Sequence, residues 1–159
     1  MPRCSIVLQM GLTISMTLAT GPTALAQDFA LQVGPPIAGN AQPAKSSLLV
    51  VRPGGCSDPA AAKITATAEG IVDGARRSVP LTLMPMSTPG VHAVPKDWAK
   101  GGIWIVNLVG SCAGKSAGAI VSIGPAATYR RDSVKLFARP ASAAEIDASL
   151  KALTTGGQQ

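Results

Sequence analysis

The chain has 159 residues, of which 14% are charged and 3% are aromatic, and its formal net charge is +6. This length suits one ordinary domain with a single core, so a second domain is not expected. The single histidine excludes every catalytic or metal site that needs two imidazoles, and the scarcity of aromatic side chains disfavours nucleic acid as a partner.

The amino-terminal segment has the pattern of a signal peptide. Arg3 precedes an apolar run over residues 6–18, and a small-x-small sequence follows at residues 24–26. The run is too short and too polar for a membrane anchor, which needs roughly 20 mainly apolar residues. We therefore expect cleavage to remove residues 1–26, including Cys4, and to leave a periplasmic or secreted protein.

Two cysteines remain in the expected mature chain, which has 133 of the 159 residues and a formal charge of +5 because Arg3 is lost. In an oxidising compartment Cys56 and Cys112 are predicted to form a disulfide, with two free buried thiols as the alternative. Closing so long a loop stabilises a fold by roughly 4 kcal/mol. A metal site on these cysteines is not expected, because neither has a second Cys or His at ligand spacing.

Short runs of alternating or β-branched residues, separated by turn residues, predict strands. The clearest alternation places Ile64, Ala66 and Ala68 on one face of a half-buried strand. Asp73 and Gly74 then supply the positive-φ pair of a tight hairpin, so the flanking strands are expected to pair antiparallel. The first four predicted strands cover residues 29–33, 48–51, 63–69 and 79–83.

The strongest strand signal is Ile103–Val109, which is apolar on both faces except for Asn107. Apolarity on both faces predicts a strand at the centre of a sandwich. Trp104 and Cys112 have the same parity, so both side chains are expected to point into one core. Two more strands are predicted at residues 91–94 and 119–123.

The carboxyl-terminal part changes character after residue 125. Residues 126–141 are predicted to form either a basic extended arm or one more strand. Residues 142–154 follow as a short amphipathic helix, because Ser142 and Glu145 have the spacing of a capping box. The apolar face of this helix consists of Ile146, Leu150 and Leu153. Residues 155–159 are expected to be a disordered tail.

These elements predict a mainly β fold: an antiparallel immunoglobulin-like β-sandwich over residues 27–125, with one disulfide and a short carboxyl-terminal helix. The segments at residues 81–84, 89–91 and 101–106 resemble the small sandwich modules of bacterial exported proteins that are similar to carboxypeptidase-regulatory-like domains. The resemblance covers Leu48–Ile123 and implies an immunoglobulin-like fold. It carries over no active-site residue, since these modules share no catalytic motif.

One candidate site is a copper centre. Met84, Met86 and His92 combine two thioethers and an imidazole within nine residues, and such soft ligands suit Cu(I) in an exported protein. The alternative is that Met84 and Met86 face the same side of a strand end and pack there as ordinary apolar residues.

The other candidate is a basic surface. Arg76 and Arg77 lie just beyond the predicted hairpin turn, and Arg130 and Arg131 lie near the carboxyl end. They could contact an acidic partner or, weakly, the head groups of an anionic membrane surface. The alternative is that these arginines are simply solvated.

No residues with the spacing of a Ser/His/Asp triad or of a hydrolytic metal site are present, so the chain is predicted not to be an enzyme. Asp97 beside Trp98 suggests a sugar contact, but a turn with an apolar anchor explains the pair adequately. The sequence therefore predicts a non-enzymatic binding or accessory module of the cell envelope that needs no cofactor. A periplasmic copper-binding protein is the alternative.

Overall fold

The computed structural model describes residues 28–36 and 46–156. The predicted signal peptide, residues 1–26, and the last three residues of the predicted tail lie outside this part of the chain. Within the described ranges, no helix has both the length and the apolarity that a bilayer-spanning segment requires.

The described chain is mainly β, as predicted. Its strands are β1 (Ala30–Gly34), β2 (Ser47–Gly54), β3 (Lys63–Val72), β4 (Ala75–Leu81), β5 (Met84–Pro85), β6 (His92–Pro95), β7 (Ile103–Cys112), β8 (Lys115–Gly124) and β9 (Thr128–Phe137). One α-helix, α1 (Ala143–Gly156), follows the last strand. The strands form a four-stranded sheet in the order β1-β2-β6-β5 and a five-stranded sheet in the order β4-β3-β7-β8-β9.

The strand order is that of an immunoglobulin-like sandwich. The four-stranded sheet corresponds to strands A, B, E and D of that fold, and β3, β7 and β8 correspond to C, F and G. Cys56 and Cys112 form the predicted disulfide, with their Cα atoms 6.0 Å apart. Since Cys56 follows β2 and Cys112 ends β7, the bond connects the ends of the same two strands, B and F, that the inter-sheet disulfide of antibody domains joins. The predicted fold class is confirmed.

Two tight turns form the β3–β4 and β7–β8 hairpins of the five-stranded sheet. Asp73 and Gly74 have φ values of 51° and 74°, which confirms the predicted hairpin between β3 and β4. Ala113 and Gly114 have φ values of 49° and 77° and connect β7 to β8 in the same way. Positive φ at both central residues matches the right-handed twist of the flanking strands, so each hairpin brings its two strands directly together.

The main core lies between the sheets, and β7 is the middle strand of its sheet. Trp104, Val106 and Leu108 face the four-stranded sheet and are at most 5% exposed. Ile105 points to the other side, where it packs beneath α1 with Ile120. The apolarity of both faces of β7 therefore has two causes, because one face meets the second sheet and the other meets the helix.

Helix α1 covers the outer face of the five-stranded sheet. Leu150 is 1% exposed and packs against the isoleucines of β7 and β8. Arg76 on β4 forms ion pairs with Glu69 on β3 and with Asp147 on the helix. The hydrogen bond to Asp147 is the main reason that the pKa of Arg76 lies above its ordinary value. Apolar packing and this ionic link together hold the helix on the sheet.

The predicted capping box at the start of α1 is confirmed. The backbone N–H of Glu145 donates to Ser142 Oγ at 3.3 Å, and the backbone N–H of Ser142 donates to Glu145 Oε2 at 2.7 Å. Arg139 donates to both carboxylate oxygens of Glu145 at 2.8 Å. These bonds, with that from Arg139 the largest cause, lower the pKa of Glu145 from 4.5 to about 2.

The Glu145→Gln variant is therefore expected to lose stability in a pH-dependent way. A carboxylate whose pKa is lowered by folding contributes its full stabilisation above its ordinary pKa of 4.5 and loses that contribution as the pH falls through about 2. The difference in unfolding midpoint between wild type and variant should be largest near neutral pH and should shrink below pH 4.5. Urea titrations followed by circular dichroism at several pH values test this, and a difference that is constant with pH would contradict it.

Residues 128–137 form β9. They belong to the segment of residues 126–141, which was predicted to be either an extended arm or one more strand. The strand pairs with β8, and Val134 packs against the main core. Tyr129 donates a hydrogen bond from its hydroxyl to the backbone oxygen of Val33 on β1, at 3.4 Å. The sandwich therefore extends beyond its predicted end at residue 125, since β9 pairs with β8 as the outer strand of the five-stranded sheet. The helix also extends two residues beyond its predicted end at residue 154.

Candidate functional site

The register between β5 and β6 separates the proposed copper ligands. Met84 is paired with Ala93, and Pro85 is paired with His92. Successive side chains of a strand point to opposite faces, so Met84 and His92 lie on opposite faces of this two-stranded ribbon. Met86 continues the register through a backbone hydrogen bond and lies on the face of Met84. The structure thus brings the two thioethers to one face and the imidazole to the other.

His92 is half-buried, and its Nδ1 atom has no hydrogen-bond partner among residues 28–36 and 46–156. In the same part of the chain, no three His, Cys, Asp or Glu side chains are grouped so that they could hold a metal ion. The copper hypothesis therefore lacks the joint set of ligands on which it was based.

The four arginines of the predicted basic surface do not form one patch. Arg76 and Arg77 lie on β4 and Arg130 and Arg131 lie on β9, which are the two outer strands of the five-stranded sheet. Arg76 holds the helix, as described above. Arg130 donates to Asp132 at 2.6 Å, and this bond is the main cause of the lowered pKa of Asp132. One arginine of each pair is thus already neutralised by a neighbouring carboxylate.

A cleft of about 450 Å³ opens at the end of the sandwich where β7 begins and β8 ends. It lies between the segment of residues 96–102, which leads into β7, and the turn of residues 124–127, which follows β8. The disulfide is at the other end of β7, ten residues along the strand. This volume falls within the range of about 300–1,000 Å³ that is usual for small-molecule sites.

Two tryptophans, the only two in the chain, line this cleft. Their ring centroids are 6.2 Å apart and their planes are tilted by 38°, a favourable arrangement for aromatic pairs. Trp104 is 5% exposed, and its indole Nε1–H donates to the backbone oxygen of Gly101 at 2.7 Å. Trp98 is half-buried and packs against the main core, which confirms its interpretation as an apolar anchor. The pair forms a rigid aromatic wall.

Two lysines and several glycines complete the lining. Lys96 and Lys100 flank Trp98 at two residues on either side, and both are exposed. Neither lysine side chain has an ion-pair or hydrogen-bond partner within the described ranges. Gly101 and Gly102 are exposed and contribute only backbone atoms to the lining. The cleft thus combines aromatic faces, exposed backbone and unneutralised positive charge.

The turn on one side of the cleft has an unusual backbone. Ala126 and Ala127 have φ values of 57° and 53°, in the left-handed region that disfavours side chains with a Cβ atom by about 1–2 kcal/mol per residue. Thr128 helps to hold the turn by donating from its hydroxyl to the backbone oxygen of Pro125 at 2.9 Å. Such conformations persist only where the surrounding structure enforces them, and they concentrate at functional sites.

Among the described residues, the lining contains no carboxylate, hydroxyl, thiol or imidazole side chain. Its ionisable side chains are the two lysines, whose ammonium groups can pair with an anionic ligand. The sequence interpretation did not identify this cleft, because it treated Trp98 as a structural residue alone. The available signal was a tryptophan in a turn segment with a lysine two residues away on each side.

Comparisons with protein-family models, with curated proteins and with solved structures found no match to this chain.

Proposed function

We propose that the protein is an exported, non-enzymatic binding module and that the cleft beside Trp98 is its ligand site. The observation that carries this proposal is the lining of the cleft: two tryptophan rings and two lysines without acidic partners, with small and apolar residues around them. A well-formed concave site with a few convergent polar groups is the usual place for a ligand. The disulfide supports an oxidising compartment, as in the periplasm or outside the cell.

The alternative functions receive less support from the geometry. A copper site would need Met84, Met86 and His92 on one face, and the register divides them between two. A basic docking surface would need the two arginine pairs together, and they lie at opposite sheet edges. Weak contact with anionic membranes and the relationship to carboxypeptidase-regulatory-like modules stay predictions.

The export part of the proposal is tested by the intact mass of the protein recovered from its native host. We expect a chain that begins at Gln27 and that gains two alkyl groups only after reduction, one on Cys56 and one on Cys112. A mass that begins at Met1 or Pro2, with both cysteines alkylated before reduction, would contradict export.

The binding part is tested by nuclear magnetic resonance on the ¹⁵N-labelled mature chain. Because the chain has two tryptophans, its spectrum should contain two indole N–H signals, which a Trp98→Phe variant assigns. We expect members of a library of neutral and anionic small-molecule fragments to shift both indole signals in a saturable way. If no fragment shifts either signal while backbone signals elsewhere respond, the cleft is not the ligand site.

A further inference from the structure

A second cleft adjoins the cleft beside Trp98. This neighbouring space has a volume of about 490 Å³ and extends towards Arg130 and towards Leu153 in the last turn of α1. The two spaces share Gly102 and the residues at the end of β8. Trp104 lines the first cleft and Ile103 lines the second, and these two side chains point to opposite faces of the five-stranded sheet. We call the two clefts, which meet at the ends of β7 and β8, the groove.

The charges around this groove are of one sign. Lys96 and Lys100 border the first cleft and Arg130 borders the second, whereas no carboxylate lines either. Arg130 is paired with Asp132, but the two lysines have no acidic partner within the described part of the chain. An anionic ligand would supply the missing negative charge at the first cleft, where both ammonium groups remain unpaired.

The shape and the surface of the first cleft favour a ring that has one apolar face. An indole offers a flat apolar surface, and a pyranose ring presents a face of C–H groups with hydroxyl groups around its edge. Such a ring can stack on Trp98 while its hydroxyls bond to the exposed backbone at Gly101 and Gly102. Both glycines have positive φ values, 85° and 76°, which glycine adopts without strain. Because they have no side chains, their backbone groups stay accessible to a ligand.

An extended peptide fits the groove less well. Peptides that bind to sheets usually add a strand to a free edge, where unpaired backbone groups are available. The groove lies at the ends of β7 and β8, and both are interior strands of the five-stranded sheet with a neighbour on each side. Main-chain pairing, the main source of affinity in that mode, is therefore not available here.

We infer that the groove binds an acidic saccharide of pyranose units at the cleft beside Trp98. One ring stacks on Trp98, and its carboxylate pairs with Lys96 and Lys100. This inference depends on the proposed function, because it assigns a ligand class to the same cleft.

The test uses the mature chain and trisaccharides of galacturonic, glucuronic and mannuronic acid, with neutral galactotriose as the matched control. We expect at least one acidic trisaccharide to shift both indole N–H signals, with an affinity about tenfold higher than that of galactotriose, because only the acidic ligand pairs with the lysines. High salt should remove most of this difference through screening.

Variants separate the two kinds of contact. Trp98→Ala is expected to weaken binding about tenfold, because the stacking surface is lost. The Lys96→Gln/Lys100→Gln double variant should bind the acidic trisaccharide with the affinity of the neutral one, and it leaves the core untouched. Lys151→Gln, on an exposed lysine of α1, is the control for net charge and should leave the affinity unchanged.

Four results would overturn the inference. Equal affinity for acidic and neutral trisaccharides would exclude the role of the lysines, and shifts with hexaglutamate but with none of the saccharides would assign the groove to an acidic peptide. Shifts with small fragments alone would leave the cleft as a ligand site with another ligand class. If neither fragments nor saccharides shift the indole signals, the proposed function fails as well.

Discussion

Replacing Cys56 and Cys112 together with alanine is expected to lower the free energy of unfolding by about 4 kcal/mol. The disulfide joins positions 56 residues apart, so its loss returns a large conformational freedom to the unfolded chain. For a domain of this size the midpoint of thermal unfolding should fall by roughly 10–20 °C. Calorimetry of the oxidised mature chain and of the double variant measures the difference.

Two controls make this result specific to the disulfide. Wild type treated with a reductant should unfold at the temperature of the double variant, whereas the variant itself should not respond to reductant. Both indole N–H signals should keep their positions in the folded variant, because the disulfide lies at the far end of β7 from Trp104. Equal midpoints for oxidised and reduced wild type would refute the stabilising role of the bond.

The second large effect is expected at Gly70, which faces Trp104 across the pairing of β3 with β7. A Cβ atom at this position would lie less than 3.0 Å from the Trp104 ring and from the backbone oxygen of Ile103. Neither can move easily, since the ring is buried in the core and the oxygen belongs to the sheet. Gly70→Ala should therefore destabilise the fold by about 1–3 kcal/mol through overpacking.

The Gly70→Ala variant should also displace the aromatic wall of the cleft. We expect a shifted Trp104 indole signal in the nuclear magnetic resonance spectrum and weaker binding of any ligand that contacts Trp98. The matched control is Gly34→Ala at the end of β1, where a Cβ atom meets nothing within 4 Å. That variant should change stability by less than about 0.5 kcal/mol. Equal stability of the two variants would show that β3 and β7 relax around the added methyl group.

Local features were predictable because their causes lie within a few residues. The Asp73–Gly74 hairpin follows from the backbone freedom of a turn pair, and the Ser142 capping box follows from a fixed spacing of three residues. The disulfide was predictable because the expected mature chain offers one possible pair. Two-sided apolarity likewise identified β7 as a central strand.

Other features depend on contacts between distant segments. The sequence pattern does not predict that α1 packs on β7 and β8, because the apolar face of the helix is compatible with any apolar partner. The ion pairs of Arg76 likewise join residues from β4, β3 and α1, which are remote in sequence. This is why Arg76 could be interpreted as a surface residue available to a partner.

Turn chemistry, side-chain alternation and cysteine count act locally, so the β class, the Asp73–Gly74 hairpin, the capped helix and the disulfide could be predicted from the sequence. Contacts between distant segments establish the strand order, the position of the helix on the sheet, the separation of Met84 and Met86 from His92, and the cleft beside Trp98. Each of these depends on which strands become neighbours and in what register. A register shift of one residue reverses the face of every side chain, so sites built across strands exist only once the sheets have formed.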